Sequence, residues 1–156
     1  MIQTSGIGLV AIYAQAKEHY SKIGRIACPF FNGELIAFNR RGFKHLIRRG
    51  PKMRTVAEQL MRLRLVEFAE QILKNQNTTV VVEVREGYEI KQWVNRAGTK
   101  ILQKKQAKSW GFIATIEGSE ITLVVSQIEG GQKEFLSIMA KNYRVHPLDT
   151  AIHKLK

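Results

Sequence analysis

Three runs of residues, WGFIATI (110–116), ITLVVSQI (121–128) and KEFLSIMA (133–140), are separated by the connections EGS (117–119) and EGGQ (129–132). Each run is rich in β-branched and aromatic residues, and each connection has hairpin length with glycine inside it. The three are therefore expected to form sequential antiparallel neighbours. Upstream, Thr78 to Arg85 and Tyr88 to Val94 share this character, so an antiparallel meander is expected over residues 76–141. Residues 95–109 are expected to form a long connection.

The residues before Asn75 read differently. Leu9, Ile12, Tyr13, Ala16, Tyr20 and Ile23 recur at helical spacing, which predicts an amphipathic helix over 7–22 that stops near Gly24. Arg25 to Phe30 and Glu34 to Asn39 flank Phe31-Asn32-Gly33, and an Asn-Gly pair between apolar runs signals a hairpin. Pro29 places its strand at an edge. A short helix over 41–49, closed by Gly50-Pro51, and a long one over 54–74 follow. After Pro147 a last short helix is expected over Leu148 to Lys156, within a tail of residues 142–156. Helices in front and strands behind make an α+β fold, in which N-terminal helices pack on a twisted antiparallel sheet. With 156 residues, 44% of them hydrophobic, and no linker or internal repeat, a single domain is expected over 1–156. Residues 1–75 would be its mainly helical half.

Charge is spread unevenly. Arg40 to Arg64 holds nine Lys or Arg against one acid, Glu58, which is +8 of the net +12. Lys91 to Lys108 adds Lys91, Arg96, Lys100, Lys104, Lys105 and Lys108 with no acid, a further +6. Cations gathered in this way suit a polyanion, because each one brought to a phosphate releases condensed counterions. The single cysteine, Cys28, cannot form an internal disulfide, and no Cys/His cluster has zinc spacing. The apolar run Ile7 to Ala16 lacks a preceding basic region and leads into Lys17-Glu18-His19, which argues against a signal peptide or membrane span and for a cytoplasmic protein. The released end of a larger effector, delivered to a target cell's cytoplasm, would read the same way.

In a helix over Arg41 to Arg49, His45 lies one turn from Arg41, Arg48 and Arg49, opposite Phe43, Leu46 and Ile47. Neighbouring cations favour the neutral imidazole, so a lowered pKa is expected, and a neutral imidazole near pH 7 can act as a general base. The plainer role is a contact residue on a basic helix. Arg54, Glu58 and Arg62 fall at i, i+4 and i+8, which laces a helix surface with ion pairs or, alternatively, lets one arginine reach across the sheet to a phosphate. Ser137, on an otherwise apolar strand, is either a filler bonded to backbone or a hydroxyl set toward a phosphate; Thr115 and Ser126 are weaker candidates. Lys108, Ser109 and Trp110 combine charge, hydroxyl and a stacking ring, although Trp93 and Trp110 suit a core equally well.

No Walker loop, dinucleotide fingerprint, G-x-S-x-G elbow or HExxH motif occurs. Asp149 is the only aspartate, so a two-metal centre of clustered carboxylates is poorly supported, and no cofactor is expected. A metal-free route on RNA needs only a base for the 2′-hydroxyl, cations for the phosphorane and an acid for the leaving 5′-oxygen.

A leading helix with a tyrosine, the strand Glu34-Leu35-Ile36-Ala37-Phe38, the run Phe43-Lys44-His45-Leu46, an arginine-bearing helix and a curved antiparallel sheet follow one another in order. Over about residues 30–141 this order resembles the barnase, EndoU, colicin and RelE superfamily of small metal-independent ribonucleases, particularly its phage-associated and polymorphic-toxin branches. The resemblance implies catalytic roles for His45, Arg54, Lys108 and Ser137. It implies that Arg48 clamps phosphate, and Arg41, Lys44, Arg49 and Arg62 of the basic cluster, with Trp110, are the further expected substrate contacts. The chain departs from the EndoU pattern in having no evident second catalytic histidine. It departs from the barnase pattern in having no obvious strand glutamate and no late-strand histidine unless His146 serves, which leaves the general acid unassigned.

The first expectation is a toxin-like endoribonuclease that cuts RNA, with tRNA a candidate substrate, to a 2′,3′-cyclic phosphate, held in check by an acidic immunity or antitoxin protein. The second is a nucleic-acid-binding module without catalysis. The third is a DNA nuclease assembling a metal from Glu83, Glu117 and Glu134.

Overall fold

The computed structural model describes residues 6–93, 98 and 100–141. Helix α1 spans Gly6–Ile23 and ends at Gly24, whose φ of 62° only glycine adopts at little cost. Strands β1 (Arg25–Cys28) and β2 (Glu34–Ala37) form the expected antiparallel hairpin, in register from Arg25 opposite Ala37 to Cys28 opposite Glu34. Pro29 lies in the connection rather than in a strand, at the start of a single 3-10 turn, Pro29–Phe31. Its fixed φ suits that first position, where no N–H is needed. Asn32 and Gly33 then take left-handed conformations and return the chain.

Helix α2 spans Arg40–Ile47, with Asn39 accepting the Gly42 amide as N-cap at 3.2 Å. It is shorter than the expected 41–49. Arg48–Arg49 (β3) leave the helix and pair with Lys52–Met53 (β4) around Gly50 and Pro51. Proline biases its predecessor away from helical backbone, and the Arg54 amide closes the excursion on the Ile47 carbonyl at 2.8 Å.

The long helix expected over 54–74 is three pieces: α3 (Val56–Leu65), a 3-10 turn (Val66–Phe68) and α4 (Ala69–Lys74). Thr55 caps α3 by accepting the Glu58 amide at 3.2 Å, so Arg54 precedes the helix. The tightened turn lets Val66, Ala69, Ile72 and Leu73 all stay buried.

Strands β5 (Thr79–Trp93), β6 (Lys100–Ile116), β7 (Ser119–Ile128) and β8 (Glu134–Ala140) form the meander. The two strands expected over 78–94 are one, β5, with a register shift between Arg85 and Tyr88 where Gly87 has φ 66°. Most of the expected connection 95–109 is strand: β6 pairs with β5 from Lys100 opposite Trp93. Lys91, Lys100, Lys104, Lys105 and Lys108 of the second basic cluster therefore ride a long β-ribbon. Val94, Arg96, His146 and the expected helix over Leu148 to Lys156 lie outside the described residues.

Both halves of the chain share one six-stranded sheet, ordered β1-β2-β8-β7-β6-β5. All its pairings are antiparallel except β2 with β8, where Ala37 stands opposite Glu134. The buried positions alternate along β6 (Trp110, Phe112) and β7 (Ile121, Leu123, Val125) and meet Tyr20, Phe43, Leu46, Leu63 and Leu73 of the helices. Truncating Phe112 or Phe135 inside this core should cost about 3–5 kcal/mol. The alternation fails on β8. A register shift opposite Val124 and Val125 leaves Ser137 and Ile138, adjacent in sequence, both buried.

Helix α2 lies so close to β8 that only glycine fits at position 42. A Cβ there would overlap the Phe135 carbonyl oxygen and stand 2.5 Å from the Tyr20 hydroxyl. That hydroxyl donates to the Asn39 carbonyl at 2.7 Å, and burial raises its pKa far above the usual phenol value. Among the described residues no helix is long and apolar enough to cross a membrane.

Candidate active site

The α2 helix, the β3–β4 excursion and the start of α3 bring His45, Arg49, Arg54, Glu58 and Arg62 around one open cleft. Met61, Met139 and Ala140 complete a cavity of about 450 Å³. Because Thr55 starts the helix, Arg54 is free to turn back under α2. Its Nε donates to the His45 carbonyl at 3.0 Å, and its Nη2 approaches His45 Nδ1 at 3.5 Å. A guanidinium carries only donors, so this contact selects the neutral tautomer with its proton on Nε2.

Glu58 Oε2 joins the two arginines, at 2.8 Å from Arg54 Nη1 and 3.5 Å from Arg62 Nη2. The expected i, i+4, i+8 lacing is present, yet both guanidiniums are buried rather than on an exposed helix surface. Arg62 also reaches across to β8. Its Nη1 donates to the Ser137 hydroxyl and, at 3.4 Å, to the Ile138 carbonyl, while its Nε is buried without a hydrogen-bond partner among the described residues. Burial and the charge of Arg54 lower the Arg62 pKa to about 10, with Glu58 opposing the shift. It stays a cation at pH 7.

The His45 imidazole is half-buried, and its pKa lies below the usual histidine value. Burial is the first cause, followed by the charges of Arg54, Arg62, Arg41 and Arg49. The direction agrees with the sequence reading, but the main cations are Arg54, just before α3, and Arg62 within it, rather than those of α2 itself. Three guanidiniums, those of Arg49, Arg54 and Arg62, face a single carboxylate and a neutral ring. Such a cleft attracts an anion and offers a neutral imidazole able to take a proton near pH 7.

The remaining expected residues are dispersed. Ser137, 2% exposed, lies behind Arg62 as its acceptor and is absent from the cleft lining. Arg41 sits near the ring and 4.0 Å from Glu134. Lys44 and Arg48 face away from His45 into a groove between α1 and α2, and Arg48 Nη1 donates to the Pro51 carbonyl at 3.0 Å. That placement removes Arg48 from the cleft as a clamp.

Lys108 and Trp110 do not join either. Ala140 stands opposite Ile121, which stands opposite Ala114, and Lys108 lies six residues further along β6, roughly 20 Å away at the usual strand rise. Trp110 is a core residue, edge-on to Phe31 at 5.0 Å with the Lys133 ammonium 5.4 Å from its ring. Glu83, Glu117 and Glu134 lie on β5, in the β6–β7 turn and at the start of β8. Among the described residues no three His, Cys, Asp or Glu side chains are grouped as metal ligands.

Sequence reasoning paired Glu58 with Arg54 and Arg62 but put all three on one exposed helix surface, and missed that Arg54 precedes the helix. The pattern Thr55-Val56-Ala57-Glu58, a hydroxyl cap followed three residues later by Glu, was the available signal: it sets the helix start and so frees Arg54. Comparison with family models, with curated proteins and with solved structures finds no match to this chain.

Proposed function

We propose that this chain is a metal-independent endoribonuclease of the barnase, EndoU, colicin and RelE type, acting on RNA by transesterification. The observation that carries the reading is a half-buried imidazole of lowered pKa, held against Arg54 and beside Arg62 in an open cationic cleft. An α+β architecture with an arginine-bearing helix on an antiparallel-rich sheet is the coarse fold class that this reading requires.

In the proposed reaction an RNA phosphate enters between Arg49, Arg54 and Arg62. Phosphate is a stronger acceptor than imidazole, so it draws the Arg54 guanidinium from His45 Nδ1. The freed Nδ1 takes the 2′-hydroxyl proton as the 2′-oxygen attacks phosphorus. The P–O5′ bond breaks, leaving a 2′,3′-cyclic phosphate and a 5′-oxygen that takes a proton from water in the open cleft, and that water regains a proton from the His45 imidazolium, which returns to its neutral form. Arg54 and Arg62 stabilise the added charge of the phosphorane, the effect expected of fixed donors in a partly dry site. Ser137 and Glu58 position Arg62 and Arg54.

A toxin of this kind requires a neutralising partner. The basic faces of α2 and the β5–β6 ribbon suit an acidic immunity or antitoxin protein, whose association would be fast and salt-sensitive. The test is incubation with tRNA in EDTA. Cleavage to cyclic-phosphate ends, lost on His45→Ala, is the expected result. Tight, salt-sensitive binding of RNA that stays intact would replace this reading with a non-catalytic binding module.

A further inference from the structure

The cations of α2 and of β3, which follows it directly, lie in two groups, and the cleft uses only one. His45 and Arg49 line the cleft, and Arg41 sits near the imidazole. Arg40 and Lys44 of α2 and Arg48 of β3 line the separate groove between α1 and α2, about 580 Å³ in volume. Lys17 of α1 stands across from them. The groove lining holds these four cations and no acid. Among the described residues no carboxylate lies within ion-pair distance of any of the four.

Between the cations the groove is aromatic. The Tyr13 ring, half-buried, meets Phe43 edge-on at 5.4 Å, and the Lys17 ammonium lies 5.9 Å from the Tyr13 ring centre. An aliphatic ligand would leave the cations without partners, and inorganic phosphate would leave the rings uncovered. A flat base joined to phosphates satisfies both, and the volume falls within the range of about 300–1,000 Å³ typical of small-ligand sites.

We infer that this groove is a single-stranded nucleic-acid subsite that stacks one base on Tyr13 and holds the adjoining phosphates on Arg40, Lys44 and Arg48. On the ribonuclease reading, the same strand crosses α2, about 10 Å wide, to present its next phosphates to His45. The pocket for base and phosphate does not depend on that reading.

The test uses the full chain and a fluorescein-labelled dT8, which lacks the 2′-hydroxyl and cannot be cut by transesterification. Anisotropy is measured in EDTA, beside an abasic oligomer of equal length and a poly-glutamate peptide. Lys44→Ala should weaken dT8 binding several-fold and lower the log–log salt slope by about one, while Lys74→Ala on α4 leaves both unchanged. Tyr13→Leu should weaken dT8 at least about fivefold and leave the abasic oligomer unaffected. Melting by circular dichroism shows whether Tyr13→Leu stays folded, and exposed Lys44→Ala decides the matter if it does not. Poly-glutamate binding as tightly as dT8, or dT8 binding indifferent to Lys44 and Tyr13, overturns the subsite. If those two residues govern dT8 while tRNA stays intact, the subsite stands and the ribonuclease reading falls. If cleavage depends on His45 while dT8 binding is indifferent to both, the ribonuclease reading stands and the subsite falls.

Discussion

Arg62 of α3 donates its Nη1 to the hydroxyl of Ser137 on β8, joining a buried guanidinium to a buried serine 75 residues away in sequence. The bond turns what read as a substrate hydroxyl into a structural acceptor. Ser137→Ala leaves Nη1 only the Ile138 carbonyl at 3.4 Å. The expected cost is about 1–3 kcal/mol in urea unfolding, the usual range for losing a buried hydrogen bond to a charged group. Well below the unfolding midpoint, RNA cleavage should fall less than about threefold. A hundredfold loss in a folded protein would return the hydroxyl to the chemistry.

The lowered pKa of His45 sets the direction of two pH profiles. In the proposed reaction cleavage requires the neutral ring, so the rate should hold as pH falls to 6.5 and decline only as pH passes through the lower folded value. Removing a contributing cation with Arg54→Met raises that value and should move the acid limb upward. Stability follows the same sign. An unfolded chain takes the proton first, so the stabilisation is complete above the unfolded value near 6.5 and is lost as pH falls through the folded one. His45→Gln should flatten that part of the melting profile between about pH 7.5 and 5. A limb unmoved by Arg54→Met would sink the assignment of His45 as base.

How much of the molecule is readable from residues alone depends on whether the information is local. The hairpin at Asn32-Gly33, the helix stop at Gly24 and the β7–β8 pairing rest on turn chemistry and alternation, and they appear as expected. The β5–β6 ribbon escapes such a reading because lysines along a strand carry no loop signal of their own, and Gly87 marks a bulge as readily as a turn. The site is half legible. His45, Arg49, Arg54 and Arg62 converge, but separating Lys44 and Arg48 from His45 needs the position of α1, a tertiary fact. Lys108 is drawn in by charge alone, and charge does not encode which end of a strand meets a helix.

Gly42 tests how closely α2 must sit on β8. Alanine is the better helix former by about 1 kcal/mol, so on an open helix surface Gly42→Ala would stabilise. Here the new methyl meets the Phe135 main chain and the Tyr20 hydroxyl, neither a flexible tip able to yield. A net loss of about 1–3 kcal/mol is expected from the overpacking, with α2 displaced. Because α2 carries His45, cleavage should drop more than stability under folding conditions. Equal or higher stability would show that the helix can slide.

Glu58 holds together two guanidiniums that would otherwise repel. Its carboxylate bonds Arg54 at 2.8 Å and Arg62 at 3.5 Å, with the arginine side chains 5% and 9% exposed. Glu58→Gln keeps the shape and removes the charge, leaving two buried cations to share a neutral amide. Breaking a fully buried pair costs about 3–5 kcal/mol, and since the Glu58 side chain is 24% exposed the expected loss is nearer to about 2 kcal/mol. Added salt should restore part of it by screening. The same change makes the cleft a stronger anion site. Millimolar phosphate should therefore raise the melting temperature of Glu58→Gln more than that of the parent, because a ligand that binds only the folded state stabilises in proportion to its affinity. Tris-chloride of matched ionic strength separates specific binding from screening. Equal phosphate shifts in parent and variant would mean that Arg54 and Arg62 do not face the anion, and the cleft would lose its claim to a scissile phosphate.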